Sequence, residues 1–222
     1  QINSISVYEY RKRLGAELAK ESSIKADLII PVPDSGVPAA IGYSEEIKKN
    51  VELGIIRNHY VGRTFIEPTQ QIRSLGVKLK HNVNKTLIKD KSLILIDDSL
   101  VRGTTSVKII KMLYEAGAKE VHLKIASPPI KYPDYYGIDT PDKGELLASK
   151  FDLEGMQKFT KAKTLQFLSL EGLYKSMGYE KRNSAYPQFT DHCFTGEYPI
   201  KPIDVNNKDF EDNRLSFVSS KS

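Results

Sequence analysis

Residues 93–106 read LILIDDSLVRGTTS, an apolar run that leads into two carboxylates and then into a short, hydroxyl-rich turn. The apolar run has the length and β-branched content of an inner strand of a parallel sheet. Residues 107–113 have helical spacing, and an Ala-Gly pair after them is a stop signal. The segment therefore predicts a strand, a turn and a helix, with the turn at the carboxyl edge of a sheet.

The turn offers the groups that bind a phosphate monoester. Backbone N–H groups of residues 102–106 are free at a helix start, and the hydroxyls of residues 104–106 add donors beside the positive end of the helix dipole. Asp97 and Asp98 can accept hydrogen bonds from two sugar hydroxyls, or hold water around Mg²⁺. Each half alone has a structural interpretation, as a helix N-cap or as a plain turn. Together, in this order, they indicate a ribose-phosphate site.

The segment 97–106 resembles the phosphoribosylpyrophosphate (PRPP) loop of type I phosphoribosyltransferases. More narrowly, it is similar to that of the amidophosphoribosyltransferases (glutamine PRPP amidotransferases), which make phosphoribosylamine at the start of purine synthesis. The similarity extends over roughly residues 5 to 200, in the order of that family. The segments that carry it are PVPDSG at 31–36, YVGRTFI at 60–66, SPPI at 127–130, YGID at 136–139 and CFTG at 193–196.

The rest of the chain predicts alternating helices and strands, hence right-handed crossovers and a mostly parallel sheet. Helices are predicted at 7–20 with Ser6 as N-cap, at about 37–49, at 105–116 and over 152–177; strands are predicted at 27–33, 53–57, 93–96 and 121–126. The fold class is therefore α/β, and the resemblance implies a type I phosphoribosyltransferase fold, a mostly parallel sheet flanked by helices. We expect a phosphoribosyltransferase domain over 1–205 and a polar tail over 206–222.

Composition excludes several classes of protein. The 222 residues are 40% hydrophobic and 27% charged, which permits one sizeable α/β core. A single cysteine, Cys193, excludes an internal disulfide and cannot alone hold zinc or an iron–sulfur cluster. No apolar stretch is long enough for a membrane span, and Gln1 opens no signal-like segment. The net charge of +5 comes from scattered Lys and Arg residues, so we expect neither nucleic acid nor a membrane as partner.

The resemblance implies a role for particular residues. It makes Arg63, Asp97 and Asp98 catalytic, and it makes Ser35, Asp97 and Asp98 ligands of Mg²⁺, the cofactor. Ser35 also has a structural interpretation, since Asp34 or Ser35 would serve as N-cap of the next helix. In the family, the segment 60–66 closes as a cationic lid over PRPP, where Arg63 neutralises the leaving group. The implied PRPP-binding residues are Arg57, Tyr60, Arg63, Thr64, Asp97, Asp98, Ser99, Arg102, Gly103, Thr104, Thr105 and Ser106.

The resemblance also implies partners. The family's glutaminase half begins with a nucleophilic cysteine and supplies ammonia; this sequence opens at Gln1, so we expect the glutaminase domain to be absent from the chain. Some members hold an iron–sulfur cluster near the positions of Asp134, Pro187 and Thr190, and we expect no cluster here. A homo-oligomer, purine nucleotides as inhibitors and a cytoplasmic location complete these expectations.

Two other functions use the same fold. One is a nucleobase phosphoribosyltransferase, which needs a hood that contacts a base; the other is a non-enzymatic PRPP-sensing regulator. The segments 152–177 and 193–196 favour the amidotransferase over the nucleobase enzyme. No helix-turn-helix pattern or basic stripe supports a DNA-binding regulator.

Overall fold

The computed structural model describes residues 5–58, 81–138 and 140–200. The described part begins with α1 (Val7–Lys20), β1 (Leu28–Pro31), α2 (Val37–Ile47), β2 (Ile55–Arg57) and β3 (His81–Val83). It continues with α3 (Lys85–Ile88), β4 (Ser92–Asp97), α4 (Thr104–Glu115) and β5 (Glu120–Ile125). After a 3₁₀ turn (Lys143–Glu145) come α5 (Leu147–Lys150), α6 (Leu153–Thr160), β6 (Thr164–Phe167), α7 (Leu170–Ser176) and α8 (His192–Thr195).

The main sheet has four parallel strands in the order β1-β4-β5-β6. Strand β4 is interior, and its side chains alternate between two separate apolar clusters. Leu93 and Leu95 pack with α4, α5 and α6 on one face, whereas Ile94 and Ile96 pack with α1 and α2 on the other. Burial on both faces is why this strand is a continuous apolar run. The predicted α/β fold, a mostly parallel sheet flanked by helices, is confirmed.

The first helix agrees with its prediction. It spans Val7–Lys20, and the Ser6 hydroxyl accepts a hydrogen bond from the Glu9 backbone N–H at 3.1 Å. Tyr10 and Leu18 are buried on its inner face, as the apolar spacing predicts.

One predicted strand pairs differently from the others, and one predicted helix was wrong. The strand predicted at 53–57 does not join the parallel sheet: β2 pairs antiparallel with β3 in a separate two-stranded sheet. The segment 152–177 is not one helix, because β6 separates α6 from α7. Helix α6 ends where Lys161 adopts a left-handed conformation, and the residues of β6 then extend the sheet beside β5. Their short TLQF run carries β-favouring residues that a helical reading overlooks.

Helices α1 and α2 touch backbone to backbone. A Cβ added at Gly15 would lie 1.8 Å from the Ala39 carbonyl oxygen, and one added at Gly42 would lie 1.8 Å from that of Lys12. The two glycines therefore set the distance between the helices, and α2 is held firmly above β1 and β4.

Lys124 is a charged side chain in the interior. It lies on β5 and is fully buried on the face covered by α1. Its Nζ donates to Gln166 Oε1, and Gln166 Nε2 donates in turn to the Glu21 carbonyl at 2.9 Å. Burial lowers the pKa of Lys124 to about 8 from 10.5.

We predict that Lys124→Met stabilises the protein at pH 7 by about 1–3 kcal/mol, because it removes a desolvated charge. Between pH 8 and 10.5 the unfolded chain binds more protons at Lys124 than the folded chain does, so wild-type stability rises with pH there. The advantage of the variant should therefore shrink from pH 7 to pH 10 in denaturant unfolding. The exposed Lys150→Met is the matched control. A stability difference between Lys124→Met and wild type that does not change with pH would contradict the lowered pKa of Lys124.

Among the described residues, no helix combines the length and the apolar character needed to cross a bilayer.

Candidate active site

The carboxyl ends of β1 and β4 bring together the residues predicted to bind metal. Ser35 follows β1, Asp97 ends β4, and the Ser35 hydroxyl donates to Asp97 Oδ1 at 3.2 Å. The same oxygen accepts the backbone N–H of Asp98 at 2.9 Å. Parallel strands place their carboxyl ends at one edge, which is why residues 62 positions apart meet.

The N-cap interpretation of Ser35 and Asp34 was wrong. Helix α2 begins after Gly36, which acts as N-cap without a side-chain hydrogen bond. A Cβ on Gly36 would lie 2.3 Å from the Ile96 carbonyl oxygen, so the chain passes close against β4 at this point. That close approach turns the Ser35 hydroxyl toward Asp97 rather than toward the first turn of the helix.

The two carboxylates differ in their surroundings. Asp97 is 7% exposed and lies on the face of α4, whereas Asp98 is half-buried and faces the side of α1 and α2. Burial, together with the charge of Asp98, raises the pKa of Asp97 to about 7. Among the described residues no Lys or Arg forms a salt bridge with either carboxylate, and a bound cation would stabilise such a pair.

The donor set fits Mg²⁺. It consists of oxygen atoms alone, from a hydroxyl and two carboxylates, and Mg²⁺ prefers few protein carboxylates completed by water and substrate oxygens. Within the described ranges no group of three or more His, Cys, Asp or Glu side chains is placed to hold a metal. One hydroxyl and two carboxylates leave the remaining octahedral positions of Mg²⁺ to water and substrate oxygens.

The predicted phosphate turn opens α4. The helix begins at Thr104, one residue earlier than predicted, and Gly103 is its N-cap with φ at +73°. Thr104 and Thr105 are exposed, whereas Ser106 is buried. At the first turn of a helix the backbone N–H groups lack partners within the helix, so this turn presents donors and a positive dipole end to the sheet edge. Gly103 is needed here, because its φ is one that side chains rarely adopt.

Two arginines of the predicted PRPP set are held by carboxylates that the sequence analysis did not single out as partners. Arg57 Nη1 donates to Asp34 Oδ2 at 2.7 Å. Arg102 donates through Nε at 3.0 Å and Nη2 at 2.6 Å to one oxygen of Glu145. Both pairs are exposed enough to exchange partners with a ligand. Ser99, also predicted, donates to Asp98 Oδ1 at 3.4 Å.

Three predicted residues, Tyr60, Arg63 and Thr64, lie outside the described residues, as does the rest of the predicted lid. Their roles stay predictions.

Asp134, one of the three residues near whose positions some family members hold an iron–sulfur cluster, has a partner in this structure. Asp134 Oδ2 lies 2.7 Å from His192 Nε2, and both side chains are buried. Burial, and secondarily Asp134, raises the pKa of the neighbouring Cys193 to about 11. The absence of an iron–sulfur cluster stays a prediction.

Residues 8–127 match the family model of the phosphoribosyl transferase domain. Since that match covers more than half of the sequence, the chain belongs to the phosphoribosyl transferase domain family. Within that family it is similar to the amidophosphoribosyltransferases, as the sequence predicted. It is 57% identical over 216 residues to the enzyme of Rhizobium etli and 49% identical over 200 residues to that of Bacillus subtilis.

The chain matches only the phosphoribosyltransferase part of these relatives. The alignment covers 97% of this chain but 43% of the Rhizobium etli protein, and 90% of this chain but 42% of the Bacillus subtilis protein. Among solved structures, the Bacillus subtilis glutamine PRPP amidotransferase complexed with ADP and GMP has a TM-score of 0.82 and 46% identity, over 95% of this chain and 46% of that chain.

Proposed function

We propose that this chain is the phosphoribosyltransferase part of a PRPP amidotransferase. It would join ammonia to C1 of the ribose of PRPP and release pyrophosphate, the first step of purine synthesis. The observation that carries the proposal is the cluster of Ser35, Asp97 and Asp98 beside the helix start at Gly103. The names of its relatives support the same reaction.

Each part of the site has one task in this proposal. The N–H groups and hydroxyls of residues 102–106 bind the 5-phosphate, and Arg102 exchanges Glu145 for it. Asp97 and Asp98 accept hydrogen bonds from the ribose 2- and 3-hydroxyls. A magnesium ion held by Ser35 and the two carboxylates would neutralise negative charge on the pyrophosphate.

Displacement of pyrophosphate develops positive charge on the ribose ring and negative charge on the leaving group. In this proposal the carboxylates stabilise the ring, and Arg57 at the end of β2 meets the leaving group once it separates from Asp34. Arg63, with Tyr60 and Thr64 in the lid segment, would complete the neutralisation when the segment closes. No side-chain nucleophile is required, because catalysis here consists of positioning, neutralisation and exclusion of water.

The ammonia would come from glutamine in a glutaminase domain of a longer protein, since this chain spans less than half the length of its relatives. ADP and GMP are bound in the related Bacillus subtilis structure, and we propose purine nucleotides as inhibitors here as well. We further propose a homo-oligomer that acts in the cytoplasm, without a nucleic-acid or membrane partner.

A pyrophosphate-release assay on the 222-residue chain tests the proposal. With Mg²⁺ and PRPP, we expect ammonia to raise the rate of release well above that of PRPP hydrolysis alone, and glutamine to have no effect. At fixed total ammonium the rate should rise by about tenfold per pH unit while most of it is NH₄⁺, because only the neutral amine is a nucleophile. Ammonia-independent release at the same rate would contradict the proposal.

A further inference from the structure

A cavity of about 330 Å³ adjoins the candidate active site on the face of α1 and α2. Ser35 and Asp98 line one wall. Another part of the lining, which we call the aromatic wall, includes Tyr174, Phe189 and Phe194. Two candidate metal ligands and an aromatic wall from the carboxyl-terminal part of the chain therefore line the same cavity.

The aromatic wall is fixed by three side chains that we call the clamp: Tyr174, Arg182 and Asp191. Asp191 is 3% exposed, and its Oδ2 accepts from the Tyr174 hydroxyl at 2.7 Å and from Arg182 Nε at 2.5 Å. Arg182 Nη2 reaches Asp191 Oδ1 at 3.2 Å and Glu197 at 2.6 Å. The clamp thus joins α7 to the segment around α8.

Each group of the clamp holds its neighbour in the protonation state that their hydrogen bonds need. Although burial alone would raise it, hydrogen bonds from Arg182 and Tyr174 hold the pKa of Asp191 below its ordinary value. Burial and the Asp191 carboxylate raise the pKa of Tyr174 to about 12, so its hydroxyl stays a donor. The Tyr174 ring in turn lies 6.0 Å from the Phe189 ring, centroid to centroid. The clamp therefore orders the wall, and the two clamp residues that line the cavity, Tyr174 and Asp191, are paired with each other.

The location of the cavity beside the candidate active site bears on which nucleophile reaches C1 of the ribose. If the phosphate binds at 102–106 and the ribose hydroxyls at Asp97 and Asp98, the far end of the sugar lies toward Ser35 and the cavity. In amine transfer, the ammonia lone pair forms the C1–N bond, the C1–O electrons leave with pyrophosphate, and one proton goes to solvent. In hydrolysis, water attacks the same carbon, and the products are ribose 5-phosphate, pyrophosphate and a proton. A developing ring cation reacts with either nucleophile, so the surroundings of C1 decide between them.

We propose that the clamp of Tyr174, Arg182 and Asp191 is a positioning device that keeps the aromatic wall closed against C1 and so favours amine transfer over hydrolysis of PRPP. This inference rests on the proposed function and deepens it, because it assigns the choice of nucleophile to residues outside the PRPP loop. Arg182 and Asp191 lie outside the segments that the sequence analysis used, and Tyr174 entered it only as part of the predicted helix over 152–177.

Tyr174→Phe tests the inference with a minimal change. It keeps the ring in the wall and removes the hydroxyl that binds Asp191. Tyr186→Phe is the matched control, because Tyr186 is 82% exposed and does not line the cavity. Pyrophosphate release is measured with Mg²⁺ and PRPP, with and without ammonia.

For Tyr174→Phe we expect the ratio of hydrolysis to amine transfer to rise by about fivefold, the factor that one lost hydrogen bond corresponds to. The KM for PRPP should stay within about twofold, because the clamp does not touch the PRPP loop. Tyr186→Phe should match wild type. An unchanged ratio, or equal losses of both rates together with a higher KM, would show a structural role alone and overturn the inference.

If the wild-type chain does not use ammonia, the result counts against the proposed function and not against the clamp. Amide hydrogen exchange then tests the role of the clamp without any need for turnover. Residues 189–195 should exchange faster in Tyr174→Phe than in Tyr186→Phe, and PRPP with Mg²⁺ should slow their exchange in wild type. Equal exchange in the two variants, or no effect of PRPP on this segment, would overturn the role of the clamp.

Discussion

Asp97→Asn combined with Asp98→Asn should weaken binding of Mg²⁺-PRPP by more than about a hundredfold. The two substitutions remove two charged acceptors, and hydrogen bonds to charged groups contribute about 1.5–3 kcal/mol each. They also remove the carboxylates that we assign to the metal. Isothermal titration calorimetry with PRPP in the presence of Mg²⁺ measures the loss directly.

The double variant should remain folded. An Asn at position 97 keeps an oxygen for the Ser35 hydroxyl and for the backbone N–H of residue 98. It also removes the repulsion that, after burial, contributes to the raised pKa of Asp97. Asp142→Asn is the matched control, since Asp142 is exposed and makes no capping hydrogen bond. If the folded double variant binds Mg²⁺-PRPP as tightly as wild type, Asp97 and Asp98 do not form the binding site.

Gly42→Val should destabilise the protein by at least about 3 kcal/mol, an expected lowering of the melting temperature by roughly 6–12 °C. Its Cβ would lie 1.8 Å from the Lys12 carbonyl oxygen and 2.6 Å from the carbonyl carbon, and both are backbone atoms that no rotamer change can move. α1 would have to separate from α2, which holds Ser35 and Gly36 at its start. Thermal unfolding followed by circular dichroism measures the effect.

Gly144→Ala separates the clash from the general effect of adding a methyl group. Nothing lies within 4 Å of a Cβ at Gly144, and its φ is not in the left-handed region. We expect this control to be neutral or slightly stabilising. Equal stability of the Gly42 and Gly144 variants would contradict the close helix contact.

The sequence predicted correctly those elements whose start, apolar face and end are all encoded within one short segment. Helix α1 has its cap, its apolar face and its end within one segment, and both bounds agree with the prediction. The unit β4–turn–α4 likewise carries its strand, carboxylates and helix start in consecutive residues. Because these elements were predicted correctly, the position of the candidate site at the edge of the sheet was predicted as well.

Patterns failed where a distant partner decides the structure. β6 is four residues long, and it is a strand because β5 offers it an edge, a fact that the sequence of 152–177 does not contain. The Ser35 hydroxyl binds Asp97 because Gly36 lets α2 approach β4, which no capping rule anticipates. The clamp likewise assembles only in three dimensions, although Arg182 and Asp191 lie nine residues apart. For these contacts no signal in the sequence would have sufficed.

The most direct test of the account is to offer the 222-residue chain several acceptors at once. Labelled PRPP, Mg²⁺ and ammonia are mixed with hypoxanthine, guanine and orotate, and pyrophosphate and the ribose products are quantified, with the Asp97→Asn, Asp98→Asn variant as the blank. The account predicts pyrophosphate release that depends on ammonia and no labelled nucleotide. Formation of a nucleotide from any of the three bases, or binding of PRPP without turnover in the presence of every acceptor, would contradict it.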